Sequence, residues 1–389
     1  MQIPIRNVWL LQLYASRLYR AAGTGLVAPE KSPEDLPDLV ARIVAEQVTV
    51  RLHTGLSVGF QQTTRATHRV RGRINLLTTE RHQLLRRGQV NCTFDEIVTD
   101  TAANRLAKAA LEKAAVLVPG EPRYRSLALQ LGAAGVREPC PPLSSVPAMH
   151  RQRLLTRDRT MIAAAELLLT LAIPTTEAGG SMLPLPSLDD GYLRKLFEHA
   201  AYGFYRHRLT SNGWTVTHGQ RLNWNVASSS PGMTAILPGM QVDVVLEHPN
   251  PSGAGRRRIV VDTKFTSVTK QNQYQREKLA SGYVYQMYAY LMSQDGQEPK
   301  VKSEGLMLHP SVGDHLDEEV VIQGHRIRFA TVNLMANAPT LADEMLAAVS
   351  PPNDPNFSCH QYLFGRDISA AEAEQQTPDP PDTTAGGAG

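Results

Sequence analysis

Asp243, Asp262 and Lys264 are the residues of this 389-residue chain whose types and spacing carry chemistry most directly. Asp262-Thr263-Lys264 closes the apolar run Ile259-Val260-Val261, and Asp243 opens another, Val244-Val245-Leu246. Two carboxylates brought to one place repel unless a cation sits between them, and hard oxygen ligands suit Mg²⁺ rather than a soft metal. With a lysine beside them the set fits phosphodiester hydrolysis, in which a metal polarises the phosphoryl oxygen and lowers the pKa of the attacking water. The ammonium then orients that water and stabilises the growing charge. Asp-x-Lys also arises by chance as an edge-strand salt bridge, so the elements around it decide its weight.

Those elements are legible. Gln241 to Leu246 and Arg258 to Phe265 are strand candidates joined by the loop His248 to Gly255, rich in Pro and Gly, which predicts a hairpin. Side chains alternate along a strand, so Ile259, Val261, Thr263 and Phe265 share one face while Asp262 and Lys264 share the other. A symmetric register pairs Leu246 with Ile259 and sets Asp243 opposite Asp262, where facing Cβ atoms lie about 4.5–5.5 Å apart. Before the hairpin, Leu188 to Leu209 reads as a helix with Leu193, Leu196, Phe197, Ala200 and Phe204 as its buried stripe. Glu198 stands about 100° round from Phe197. It can enter a neighbouring cleft or pair with Arg194 on the surface. After the hairpin, a helix from about Gln275 to Met292 carries Gln286 and Tyr290 at i, i+4.

Helix, hairpin with Asp…Asp-x-Lys, helix is the order of the PD-(D/E)xK nuclease core, which this half resembles. The resemblance implies an α/β restriction-endonuclease-like domain in which Asp243, Asp262, Lys264, Glu198, Gln286 and Tyr290 form the catalytic set. Asp243, Asp262, the Thr263 backbone carbonyl and Glu198 are then the expected Mg²⁺ ligands. The chain start, Ile3-Pro-Ile-Arg-Asn-Val-Trp-Leu-Leu-Gln-Leu-Tyr-Ala15, resembles McrC, the nuclease subunit of the McrBC modification-dependent restriction systems. Arg71-Gly-Arg-Ile74, Cys92-Thr-Phe-Asp-Glu96, Asn104-Arg-Leu-Ala-Lys108 and Gln286-Met-Tyr-Ala-Tyr290 extend the likeness to about residue 370. Asn75 departs from the pattern, standing where the family usually has Asp.

What that likeness implies is a Mg²⁺-dependent endonuclease acting on modified double-stranded DNA with a hexameric McrB-like AAA+ GTPase, which it enters through its N-terminal region and stimulates. No GxxxxGK[ST] loop occurs in the chain, so nucleotide hydrolysis belongs to the partner. Two other classes stand beside this reading: a non-catalytic adaptor that clamps DNA for an AAA+ motor, and a stand-alone repair nuclease. The intact carboxylates and Lys264 speak against the first, and the matches at Ile3 to Ala15 against the second.

Composition sets the frame. With 42% hydrophobic and 20% charged residues, the chain can fill two ordinary domains, and no apolar run is long enough to span a membrane. A cytoplasmic protein without a membrane partner is expected. Residues 1–180 carry 23 basic and 15 acidic side chains, a net of +8, and residues 181–389 carry 17 and 22, a net of −5. Arg65, Arg69, Arg71, Arg73, Arg81, Arg86 and Arg87 supply most of the excess, as a contact for phosphates or an acidic protein surface, or as a solvated face. Arg256, Arg257 and Arg258 at the hairpin tip are open to the same alternatives.

The Pro- and Gly-rich segment Leu171 to Ser187 places a domain boundary near residue 180. The resulting divisions are a partner-binding domain at 1–180, a nuclease domain at 181–370 and a disordered tail at 371–389. Helices are expected over Asn7–Ala21, Leu36–Leu52 with Asp35 as cap, Ala102–Val118 and Thr156–Leu171. Residues 58–94 read as a small antiparallel sheet broken at Gly72 and Gly88, giving an α+β N-terminal half. Cys92, Cys140 and Cys359 are too scattered for a disulfide framework or zinc ribbon, which predicts buried structural thiols.

Overall fold

A computed structural model of the chain describes residues 2–21, 35–151, 156–171, 182–184, 190–249, 256–266, 269–271, 277–294, 303–312 and 315–350. The segment around residue 180, Cys359 and the tail beyond 370 lie outside them. Helix α1 (Ile5–Ala15) stops at Ser16, short of the expected Ala21. There the Ser16 hydroxyl accepts from the Tyr19 amide at 3.1 Å and starts a separate turn, Arg17–Ala21. Helix α2 (Leu36–Thr54) begins after Asp35 as expected, although the Asp35 side chain makes no capping bond and Pro37 occupies the first turn instead.

Strands β1 (Gly59–Thr67), β2 (Arg73–Ile74) and β3 (Val90–Val98) form the expected antiparallel sheet, in the order β1-β3-β2, with the short helix α3 (Leu76–Arg81) inserted. Gly72 makes the break: its φ is +62°, and a Cβ there would lie 2.4 Å from the Thr93 carbonyl oxygen. Helices α4 (Ala102–Leu117), α5 (Pro122–Ala133) and α6 (Thr156–Thr170) then pack with α2. Thr101 caps α4 by accepting from the Asn104 amide at 3.3 Å.

In the second half, helix α7 (Asp190–Leu209) precedes β4 (Thr215–His218), β5 (Val244–Pro249) and β6 (Arg256–Thr263). Helix α8 (Ser281–Met292), β7 (Ser303–Ser311), β8 (Asp317–Ile322), β9 (His325–Asn333) and α9 (Ala338–Ala348) follow. Helix α8 starts six residues later than expected, because Glu277–Leu279 pairs as a strand with Thr269–Gln271. The larger sheet is mixed and six-stranded in the order β8-β9-β7-β6-β5-β4, with β6, β7 and β9 parallel and the other pairings antiparallel. The protein is thus mixed α/β, with a small antiparallel sheet and a larger mixed one.

Period-two alternation divides β6 between two apolar clusters. Ile259 and Val261 pack with the α1 and α7 side, and Val260 packs with Met287 and Leu291 of α8. A strand covered on both faces reads as a continuous apolar run, as Ile259-Val260-Val261 does. The first cluster also crosses residue 180: it runs from Ile3, through Val44, Leu111 and Leu168, to Phe204 and Leu341. Asn7 fastens the same junction by donating to the Leu334 and Ala336 carbonyls at 2.7 and 2.8 Å.

Candidate active site at the end of the central strand

The hairpin adopts the expected register, Ile259 opposite Leu246 and Val261 opposite Val244. The ladder ends there, one pair short of Asp243 and Asp262. Asp243 sits in a bend, held by its own carbonyl accepting from Gly219 N at 2.8 Å. Its Oδ2 accepts from both the backbone amide and the hydroxyl of Thr263, each at 2.7 Å. The side chain of Asp243 thereby takes the place of a strand partner and is pinned to the end of β6. Thr263 is a contribution the sequence did not reveal beyond its backbone: its hydroxyl completes this clamp.

Asp262 is 2% exposed and lies on the α8 face, as the alternation required. Lys264 Nζ approaches its Oδ2 at 2.6 Å, as a close charge contact rather than an aligned hydrogen bond. Gln286 Nε2 donates to Asp262 Oδ1 at 3.2 Å and to the Tyr290 hydroxyl at 2.6 Å, and Tyr290 donates to the Gln241 carbonyl at 3.0 Å. One turn of α8 therefore ties the acid to the backbone just before Asp243. Burial pushes the Asp262 carboxyl up to about 6; the Lys264 charge opposes this and the Asp243 charge reinforces it. Burial raises Asp243 as well, against its two bonds from Thr263 and with the Glu198 charge adding to the rise.

Glu198 is within electrostatic reach of Asp243, but its hydrogen-bond partner is His218, whose Nε2 lies 3.0 Å from Glu198 Oε1. The hydrogen bond from His218 holds the Glu198 carboxyl below its usual range in spite of burial. The surface pairing with Arg194 considered from the sequence is replaced by this one. His218 ends a Thr-Val-Thr-His alternation on β4, and that position was the available signal for it.

Of the hairpin-tip arginines, two are engaged within the fold, which fits neither a fully solvated tip nor a cluster of three free to hold a phosphate. Arg257 makes a bidentate contact to Glu304 at 2.6 and 2.8 Å, and Arg258 lies 3.6 Å from Glu247. Among the three, Arg256 alone is exposed, and Arg257 and Arg258 are half-buried. The seven arginines of the basic run are all exposed. Cys92 is buried as expected, whereas Cys140 is exposed because it lies in a loop of prolines beyond α5.

The sequence matches the family model described as "McrBC 5-methylcytosine restriction system component" over residues 8–301. The chain belongs to this McrBC family. It is similar to the type IV methyl-directed restriction enzyme EcoKMcrBC of Escherichia coli (strain K12), 24% identical over 352 residues that cover 88% of this chain and 96% of that protein. Two solved assemblies from Thermococcus gammatolerans are also similar in part. A half-complex of McrB AAA+ hexamers with bound McrC aligns over 81% of this chain and 68% of that one, at 15% identity and a TM-score of 0.36. The McrBC complex aligns over 34% and 40%, at 20% identity and a TM-score of 0.28. In this McrBC family member all of the named site residues except Glu198 are linked by direct contacts around the end of β6, and Glu198 is bonded to His218 instead. No described helix is long and apolar enough to cross a membrane.

Proposed function

We propose that this chain is the nuclease subunit of a McrBC-type modification-dependent restriction complex, an endodeoxyribonuclease with a PD-(D/E)xK centre that depends on Mg²⁺. The observation that carries the reading is the buried Asp262 with Lys264 in contact and the half-buried Asp243 clamped to the adjoining Thr263: two acids and one ammonium gathered at the end of one strand. Burying such charge is costly without compensation, and natural proteins retain it where it works.

The donor set suits Mg²⁺. Asp243, Asp262, the Thr263 carbonyl and Glu198 are all hard oxygens, and the upward shift of both aspartates is what a dication reverses. When bound, Mg²⁺ supplies charge to polarise the phosphoryl oxygen and acidify water. The protein's own residues do the rest. Thr263 fixes Asp243, and Gln286 fixes Asp262, so neither carboxylate has to reorganise during the reaction. Lys264 is placed to orient the attacking water and offset charge as its oxygen bonds to phosphorus and the bond to the 3′ oxygen breaks. Tyr290, bonded to Gln286 and Gln241, holds Gln286 in place.

The same reading assigns the exposed arm formed by β1, β2 and β3 to an McrB-like hexameric AAA+ GTPase that recognises modified double-stranded DNA and whose hydrolysis this subunit stimulates. The decisive assay mixes the full chain, its cognate motor, GTP, Mg²⁺ and 5-methylcytosine-containing plasmid. Cleavage that disappears on Mg²⁺ chelation and with Asp262→Asn, while GTP hydrolysis by the Asp262→Asn complex persists, is the expected result. Full cleavage by Asp262→Asn would overturn the assignment.

A further inference from the structure

We propose that Glu198, His199 and His218 bind a transition-metal dication of the Zn²⁺ class, at a site that shares Glu198 with the catalytic carboxylates, so that filling it slows cleavage. The binding half stands on the geometry of these side chains; the inhibitory half rests on the nuclease reading above.

Each of the three residues offers one ligand atom, and these atoms lie within 4.8 Å of one another. Helix α7 supplies Glu198 and His199 from successive positions, and β4, packed on α7, delivers His218 at its end. The two imidazole rings are 4.9 Å apart, and the Tyr202 ring flanks His218 at 4.9 Å. His199 Nδ1 lies 2.7 Å from the Lys195 carbonyl oxygen. That oxygen can only accept, so Nδ1 carries the proton and Nε2 keeps its lone pair, as in most metal-binding histidines. His218 Nε2 lies 3.0 Å from Glu198 Oε1, a separation that two ligand atoms on one cation would also have.

Donor chemistry separates this set from its neighbour. Two imidazoles and one carboxylate suit Zn²⁺ or Co²⁺ and leave one coordination position open, whereas Mg²⁺ prefers oxygen ligands. Asp243 and Asp262 offer oxygen alone. Glu198 is also among the oxygens that the proposed function assigns to Mg²⁺, so an ion held by the imidazoles withdraws it from that site.

The test uses the full chain stripped of metal and titrated with Co²⁺, whose visible absorption reports imidazole ligation. Expected are an end point at one ion per chain, bleaching by an equivalent of Zn²⁺, and indifference to millimolar Mg²⁺. His199→Ala and His218→Ala should each weaken Co²⁺ binding more than about ten-fold, and Asp262→Asn should leave the spectrum unchanged. Absence of absorption in the wild type, or a spectrum that survives both histidine variants and vanishes in Asp262→Asn, overturns the site. In the complete cleavage assay with Mg²⁺, equimolar Zn²⁺ should inhibit the wild type, and His199→Ala should cleave normally and resist Zn²⁺. Equal inhibition of both overturns the inhibitory half. Absence of Mg²⁺-dependent cleavage would sink the nuclease reading instead, and the Co²⁺ titration would still decide the site.

Discussion

The arm of β1, β2 and β3 and the mixed sheet around β6 break the ordinary rule of burial in opposite directions. On the arm and its inserted helix, Phe60 is 76% exposed and Leu77 85%, among arginines that all face solvent. On β6, an aspartate and a threonine are buried at 2% and 3%. An exposed apolar side chain is informative when it recurs across one surface, and a buried carboxylate is informative singly. Phe60 and Leu77 gain the arm little burial, and the proposed function gives their exposure a use in partner contact. Asp262 costs the fold stability, and the proposed function gives that cost a use in chemistry.

The largest effect should come from the sheet. Asp243→Ala, Asp262→Ala and Lys264→Ala should each reduce DNA cleavage about a thousand-fold or more, and double variants should be hardly worse than singles, because the residues act as a unit. GTP hydrolysis by the motor should be untouched, which separates the two regions in one pair of assays. Additive losses would mean that the three residues work independently.

Next in size is Gly203, which settles where the chain's first helix belongs. A Cβ on Gly203 of α7 would lie 1.8 Å from the Tyr14 carbonyl oxygen of α1, a contact with backbone that cannot swing away. Gly203→Ala should therefore lower stability by about 3 kcal/mol, at the upper end for overpacking. A thermal or urea melt measures it. An unchanged melt would show that α1 is held loosely and travels with the arm rather than with the sheet.

Much of this was legible in the sequence because it rests on local rules. The alternation Ile259 to Phe265 fixed which side chains face α8, and the loop symmetry fixed the register at Leu246 and Ile259. The stripe Leu193, Leu196, Phe197, Ala200 and Phe204 is buried in α7 as its spacing required. What stayed hidden depends on partners distant in the chain. Glu198 meets His218 across an element boundary, and Arg257 meets Glu304, 47 residues on, across a parallel crossover. No periodicity encodes such meetings. The junction of α1 with α7 is likewise invisible, since a glycine within a helix reads as tolerated until the neighbouring backbone is known.

Smaller effects are expected on the arm. Phe60→Asp or Leu77→Asp should leave the melting temperature within a degree or two, because neither residue is buried, and weaken motor binding about ten-fold, or 1.4 kcal/mol. Half-maximal stimulation of GTP hydrolysis, titrated with the variant, reads this directly. Replacing Arg69 and Arg71 by Glu should act in the same direction and grow weaker at high salt, as exposed charges do. If both apolar variants stimulate like the wild type, the contact lies elsewhere and the exposed face of the arm serves another partner.

The smallest effect concerns charge that is structural rather than functional. Glu304 on β7 is gripped by Arg257 of β6 at 2.6 and 2.8 Å and by Arg326 of β9 at 3.1 Å, so one carboxylate joins three neighbouring strands behind the site. Burial would raise its pKa, but the bonds and charges of Arg257 and Arg326 outweigh burial and hold it below the usual glutamate range. A folded-state pKa below the unfolded one means that the unfolded chain takes up protons first as pH falls. The contribution of Glu304 is accordingly complete above its ordinary value of 4.5 and is lost as pH drops through the lower folded value. Wild type should exceed Glu304→Gln in stability at pH 7, and the gap should narrow as pH falls below the ordinary glutamate value of 4.5. Chemical denaturation of the two proteins across that range gives the gap directly. A gap that stays constant would mean that Glu304 contributes through hydrogen bonding and packing rather than through its charge.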